Sequence, residues 1–88
     1  ASVYPFIHDM IWAMLASDDK ESSDLLDTLY IYLLNERSYL KTSKEMDLHR
    51  NSIVYRINKI TGRYDVDLED PAIRQNLLLS YRLLNLHA

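Results

Sequence analysis

Thr42-Ser43-Lys44-Glu45-Met46-Asp47-Leu48-His49-Arg50-Asn51-Ser52-Ile53-Val54-Tyr55-Arg56-Ile57-Asn58-Lys59-Ile60 is the stretch that decides the fold. It reads as a short helix, a turn of three or four residues, and a second helix. Ser43 is small where two helices must approach closely, and Met46 and Leu48 bracket the turn. Ile53, Ile57 and Ile60 recur at helical spacing and form one stripe to bury. The first turn of the second helix then carries His49, Arg50, Asn51 and Ser52 on an open face. This is the layout of a helix-turn-helix, in which the second helix lies in the major groove of DNA and reads bases from its N-terminal end.

Charge is divided along the chain in a way that agrees with this layout. The total is −3, which alone argues against a nucleic-acid partner. Between Arg37 and Arg63, however, seven cations (Arg37, Lys41, Lys44, Arg50, Arg56, Lys59, Arg63) face two acids, Glu45 and Asp47, a local net of +5. The remaining residues hold three cations and eleven acids. A basic face on an acidic body can bind phosphate locally, while the overall repulsion limits promiscuous association.

The 88 residues suffice for one domain with a modest core. A hydrophobic fraction of 48% is that of a globular chain. The absence of cysteine excludes disulfide frameworks and thiolate zinc sites and is compatible with a reducing cytoplasm. No apolar run approaches 18 residues, so no membrane span is expected, and the first helix lacks the basic start of a signal peptide. One glycine and two prolines point to helices with short joints and not to sheets.

Five helices are expected. The first runs from about Pro5 to Ala16, with Pro5 suited to an early helical position, and Asp18-Asp19-Lys20-Glu21 forms a polar joint. Ser22 or Ser23 caps a second helix to about Asn35, whose buried stripe is Leu26, Leu29 and Leu33. The third covers roughly Tyr39 to Met46 after Ser38. The fourth runs from Arg50 to about Tyr64 with His49 near its cap. Asp70 caps the last, Pro71 takes its first position, and it continues to about Leu86. The fold class is all-α: a five-helix domain containing a helix-turn-helix, recognition helix about 50–64.

Placing the fourth helix on a wheel of about 100° per residue sends Ile53, Ile57, Ile60 and Tyr64 inward. Asn51, Tyr55, Asn58 and Gly62 lie opposite, with Arg50 and Val54 on one flank and Ser52, Arg56 and Lys59 on the other. Arg50, Asn51, Val54 and Tyr55 are therefore the residues able to reach base edges. Arginine pairs with guanine, asparagine with adenine, and Val54 can meet a thymine methyl. Lys41, Thr42, Lys44, Ser52 and Lys59 are placed for phosphates, which fix register without reading sequence, and Arg56 joins them as a backbone candidate. Other roles stay open. His49 can serve purely as a cap, Tyr55 can lie flat on the surface, and Arg56 can bridge to a carboxylate within the domain.

These residues carry a resemblance. Leu25-Leu26-Asp27-Thr28-Leu29, Tyr32-Leu33, Thr42-Ser43, Met46 and His49-Arg50-Asn51-Ser52 with Tyr55-Arg56-Ile57 resemble the C-terminal helix-turn-helix domain of PucR/CdaR-type bacterial transcriptional regulators. Glu69-Asp70-Pro71 is similar to that family's entry into the last helix. The likeness spans residues 22–86, and residues 1–21 are a leading helix and joint. The resemblance implies a Fis-like, PucR-type output domain at the C-terminal end of a longer, cytoplasmic, nucleoid-associated regulator with a sensor domain upstream. It also implies His49, Arg50, Asn51, Ser52 and Tyr55 as DNA-facing residues. Ser43 stands for the usual alanine, which is tolerable if its hydroxyl finds a backbone carbonyl. Asp65 stands where glycine commonly follows the recognition helix, and Gly62 lies inside it, where it can fray the last turn.

The terminal helices are apolar almost all round, more than a helix packed on one side requires. A second contact surface is expected, drawn from Phe6, Met10, Trp12, Met14, Leu79, Leu83 and Leu86, for a homodimer, a higher oligomer or the upstream domains. The alternative is that the two helices pack on each other around the helix-turn-helix. A rival function follows from the same surplus: a helical protein-interaction module in which the basic patch is incidental. No catalytic, metal or cofactor site is expected. His8, His49 and His87 lie far apart, and there is no metalloprotease, nucleophile-elbow or phosphate-loop motif.

Overall fold

Every helix begins at a side chain that accepts a hydrogen bond from one of its free N–H groups. The computed structural model describes residues 7–85. Among them α1 (Asp9–Ser17), α2 (Lys20–Leu34), α3 (Tyr39–Met46), α4 (Arg50–Tyr64) and α5 (Pro71–Leu84) follow His8, Asp19, Ser38, His49 and Asp70 in turn. Each capping residue is extended, and its side chain satisfies a donor that the helix itself cannot. Four of these five helix ends share a second device, and α2 alone among them ends without it, at Asn35. Asp18, Asp47, Asp65 and Asn85 adopt the left-handed conformation that glycine usually supplies. Short Asx side chains tolerate that region better than other non-glycine residues do.

Three boundaries differ from those expected. Among the described residues α1 begins at Asp9, because His8 is held extended by two contacts. Its Nδ1 accepts from the Met10 N–H at 3.1 Å, and its own N–H donates to Ser80 Oγ at 2.9 Å. Pro5 itself lies outside the described residues, as do Phe6 and Leu86. The α2 cap is Asp19 and not Ser22 or Ser23. Asp19 Oδ1 accepts from the Ser22 N–H at 2.7 Å, so Lys20 and Glu21 belong to the helix instead of the joint. Finally, α5 stops at Leu84, where Asn85 turns left-handed.

α2 is the hub of the domain, packing against α1, α3, α4 and α5. Its Leu25 and Leu29 are buried together with Ile11 and Met14 of α1, Ile53, Ile57 and Ile60 of α4, and Leu77 and Tyr81 of α5. Each such aliphatic side chain contributes on the order of 1.5–3 kcal/mol by leaving water. Tyr81 is the largest residue with no exposed surface. Its hydroxyl donates to the Leu26 carbonyl at 2.5 Å, and its ring lies 4.9 Å from that of Tyr30. Burial, with Asp27 nearby, pushes the Tyr81 hydroxyl above the ordinary tyrosine range, so it stays a donor. This tie between α5 and α2 completes the scaffold on which α3 and α4 sit.

Met10 and Met14, two of the interface candidates, are core residues, 3% and 1% exposed. They pack in the same cluster as α2, which removes them from any outer surface. Trp12 is half-buried against that core. Leu79 and Leu83 of α5 do remain exposed, at 42% and 37%.

Candidate nucleic-acid interface

The turn between α3 and α4 is built from backbone contacts that the residues 46–49 make possible. The Leu48 N–H donates to the Ser43 carbonyl at 3.0 Å and the Asp47 N–H to Lys44 at 3.4 Å, with Asp47 left-handed at φ 56°. Ser43 is 6% exposed, and its hydroxyl donates to the Leu40 carbonyl at 2.7 Å, the partner that a serine at this position requires. The chain then extends through His49, whose Nδ1 accepts from the Asn51 N–H at 3.0 Å. Nδ1 is thus occupied as an acceptor, and the proton of a neutral His49 ring sits on Nε2.

α4 presents the faces that its periodicity dictates. Ile53, Ile57 and Ile60 are buried, at 0%, 3% and 0% exposed. Arg50, Asn51, Tyr55, Asn58 and Gly62 are exposed, and Ser52, Val54, Arg56, Lys59 and Tyr64 are half-buried along the edges. Tyr55 stands out at 62% exposure, a large aromatic ring on the open side of the helix. His49, the DNA-facing candidate outside the helix proper, is exposed at its start.

The seven cations of the basic segment divide into two groups. Arg37 pairs with Glu69, and Arg56 donates through Nη1 to Thr28 Oγ1 at 3.0 Å. Lys59 Nζ lies 2.8 Å from Glu21 Oε2, and Arg63 Nη2 lies 3.0 Å from Glu21 Oε1. Lys59 also donates to the Tyr55 hydroxyl at 3.3 Å and sits 5.5 Å from the centre of its ring. By contrast, Lys41, Lys44 and Arg50 are exposed and have no carboxylate within ion-pair range among the described residues. All three lie on α3 or in the first turn of α4. The free positive charge therefore borders the N-terminal end of α4, beside Asn51, while the cations further along that helix are engaged by α2.

Three of the expected phosphate contacts change role: Lys59 is engaged by Glu21, and Thr42 and Arg56 face into the domain. Thr42 has no exposed surface and its hydroxyl no partner, so it packs α3 against its neighbours and cannot meet a phosphate as placed. Arg56 is turned into the domain by Thr28, whose hydroxyl in turn donates to the Asp24 carbonyl at 2.8 Å. The expected alternative, a bridge within the domain, is what Arg56 makes, though to a hydroxyl instead of a carboxylate. Asp27 lies close enough to Arg56 to feel its charge, yet its carboxyl is held above the ordinary range by burial first and by Asp24 second.

Glu21 is the residue that sequence reasoning missed. It falls in the stretch that reads as a polar joint, yet it holds two side chains of α4 that are 38 and 42 positions away in sequence. No local pattern marks such a partner. Only the common flank of Lys59 and Arg63, four residues apart, hints that one anion could serve both. Those two hydrogen bonds, from Lys59 and then Arg63, keep the Glu21 carboxyl below the ordinary glutamate range.

Two helices in a tight, left-handed turn, with a second helix open along its polar face and flanked by free cations at its N-terminal end, define a helix-turn-helix domain of a transcription regulator. Comparison with known proteins makes this specific. Residues 25–83 match the PucR C-terminal helix-turn-helix domain, and the chain belongs to that family. It is 38% identical over 69 residues to the proline-responsive transcriptional activator PutR of Bacillus subtilis, covering 78% of this chain and 17% of that protein. It is 33% identical over 72 residues to the purine catabolism regulatory protein of Bacillus subtilis, covering 82% of this chain and 14% of that one. An uncharacterized protein in the pkwA 5′ region of Thermomonospora curvata is 36% identical over 63 residues, 72% of this chain and 35% of the relative. No solved structure matches. The family is one of transcriptional regulators and not of enzymes, which makes DNA the partner class of this domain. No described helix is long and apolar enough to cross a membrane.

Proposed function

We propose that this domain is a sequence-specific reader of double-stranded DNA, the output end of a longer regulator, with α4 lying in the major groove. The observation that carries the reading is the separation of charge along α4. Unpaired Lys41 and Lys44 lie on α3, and unpaired Arg50 lies in the first turn of α4 with exposed Asn51 and His49, while Lys59 and Arg63 share the single carboxylate of Glu21. In the proposed complex Arg50 and Asn51 meet base edges, Val54 and Tyr55 meet the apolar and aromatic surfaces beside them, and Lys41, Lys44 and Ser52 position the duplex. His49 adds an Nε2–H donor at the entrance to the groove. The proline response of the one relative and the purine catabolism of the other concern those proteins. Their greater length supports a sensor domain upstream, and the whole regulator would act in the cytoplasm on the nucleoid.

A second feature supports pairing. Leu79 and Leu83 lie one helical turn apart on the outer side of α5, and both are exposed. A two-fold dimer through this face would present two recognition helices to successive major grooves.

Selection from a randomised duplex library at about 100 mM salt, where non-specific phosphate binding is already reduced, tests the DNA reading. A motif should be enriched and should be lost on Arg50→Ala, with a cost of about 1–3 kcal/mol per base contact. A folded domain that enriches nothing, alone or as the longer regulator, would instead favour an interaction module.

A further inference from the structure

The recognition helix carries three cations beyond its first turn, and none is free. Arg56 is held by Thr28, while Lys59 and Arg63 share the two carboxylate oxygens of Glu21 at the start of α2. Geometry makes the last two matter. From Arg50 to Arg63 the helix rises by about 20 Å, against a major groove about 12 Å wide. If the N-terminal turn reads bases, Lys59 and Arg63 stand where the helix leaves the groove and a phosphate strand passes. Contacts there are sequence-independent: they raise the affinity for every duplex alike.

We propose that Glu21 is a specificity-determining residue, an internal anion that occupies Lys59 and Arg63 and so confines phosphate contact to the N-terminal half of the recognition helix. The proposal rests on the DNA reading above. Each oxygen of Glu21 serves one cation, the arrangement that a phosphate would otherwise offer, and the Glu21, Lys59 and Arg63 side chains all keep exposed surface, so duplex phosphate can compete for the same donors. Glu21 also acts on Tyr55 through Lys59, which it holds against the Tyr55 hydroxyl and ring. The exposed aromatic side chain on the reading face is thus steadied from α2 by way of one ammonium group.

The test is the salt dependence of binding by the wild-type domain and by Glu21→Gln, each measured on the selected duplex and on an unrelated one. Gln keeps the size and exposure of the side chain, and far-ultraviolet circular dichroism checks that the helices persist. With two cations released, the slope of log Kobs against log salt should steepen by about one to two units. Affinity for the unrelated duplex should rise severalfold, and the ratio between the two duplexes should fall. The triple variant Glu21→Gln, Lys59→Gln, Arg63→Gln should return the slope to that of the wild type. An unchanged slope and ratio in Glu21→Gln would overturn the proposal while leaving the DNA reading intact. A uniform loss of affinity would also overturn it, making Glu21 a prop for the helix and nothing more. Failure of the wild type to bind either duplex at any salt would remove the DNA reading and this inference with it.

Discussion

Thr42 and Arg56 show how a residue's type and its placement can point in different directions. A threonine beside two lysines at the start of a helix-turn-helix suits a phosphate contact, yet Thr42 is wholly buried with an unpartnered hydroxyl. A buried hydroxyl without a partner costs about 1–3 kcal/mol relative to an apolar group of the same shape. Thr42→Val should therefore hold or raise the urea midpoint and leave duplex affinity unchanged, whereas a phosphate-bonding threonine would lose affinity. Arg56 makes the opposite comparison. Its guanidinium ties α4 to Thr28 at 3.0 Å, so Arg56→Ala should lower stability by about 1–2 kcal/mol in urea unfolding. Its salt slope should stay at the wild-type value, because no phosphate contact is lost.

At the scale of the element, α4 is held by its isoleucine stripe and by its polar ties to α2, and this sets what the sequence reveals. The stripe, the caps at Ser38, His49 and Asp70, and Pro71 at the start of α5 are local signals, written within four residues of where they act. They were legible, and so was the left-handed end at Asp65. The start of α1 was not, because His8 answers to Ser80, 72 positions away. Nor was the pairing of Glu21, nor the burial of Met10 and Met14, since an apolar residue on an all-apolar helix does not announce which way it faces. Two predictions belong here. Gly62 is an exposed helical glycine, and a Cβ placed on it meets nothing within 4 Å. Gly62→Ala should raise stability by about 0.5–1 kcal/mol in thermal or urea unfolding. The Glu21 clamp should in turn depend on pH. A carboxyl held below its ordinary value of 4.5 stabilises the fold above that value and loses its contribution as pH falls through the lower, folded one. Wild type should then exceed Glu21→Gln in stability at neutral pH, and the gap should narrow as pH falls below 4.5 and close once the carboxylate is protonated in both states. A gap that persists unchanged in strong acid would show that the clamp contributes nothing electrostatic.

The whole molecule carries a basic edge on an acidic body, and two of its exposed leucines bear on how two such domains could meet DNA together. Leu79 and Leu83 sit on α5, whose inner side is fixed by Leu77, Ser80 and Tyr81. The two leucines contribute little to the core, so they can be changed without touching it. A single domain making a handful of base contacts reads a short site, and two-fold pairing doubles the site and fixes the spacing of its halves. Sedimentation of the wild-type domain at high micromolar concentration should show dimers, and Leu79→Lys with Leu83→Lys should show folded monomers whose melting temperature, unlike that of the wild type, does not change with concentration. A selected motif should then be a palindrome with half-sites about 10 base pairs apart or a multiple of that. If the wild type sediments as a monomer and the motif is a single half-site, the α5 leucines do not pair two copies of this domain, and dimeric reading must come from elsewhere in a longer regulator. Loss of the helical far-ultraviolet signal in the double lysine variant would instead place the two side chains in the core, against their exposure at 42% and 37%.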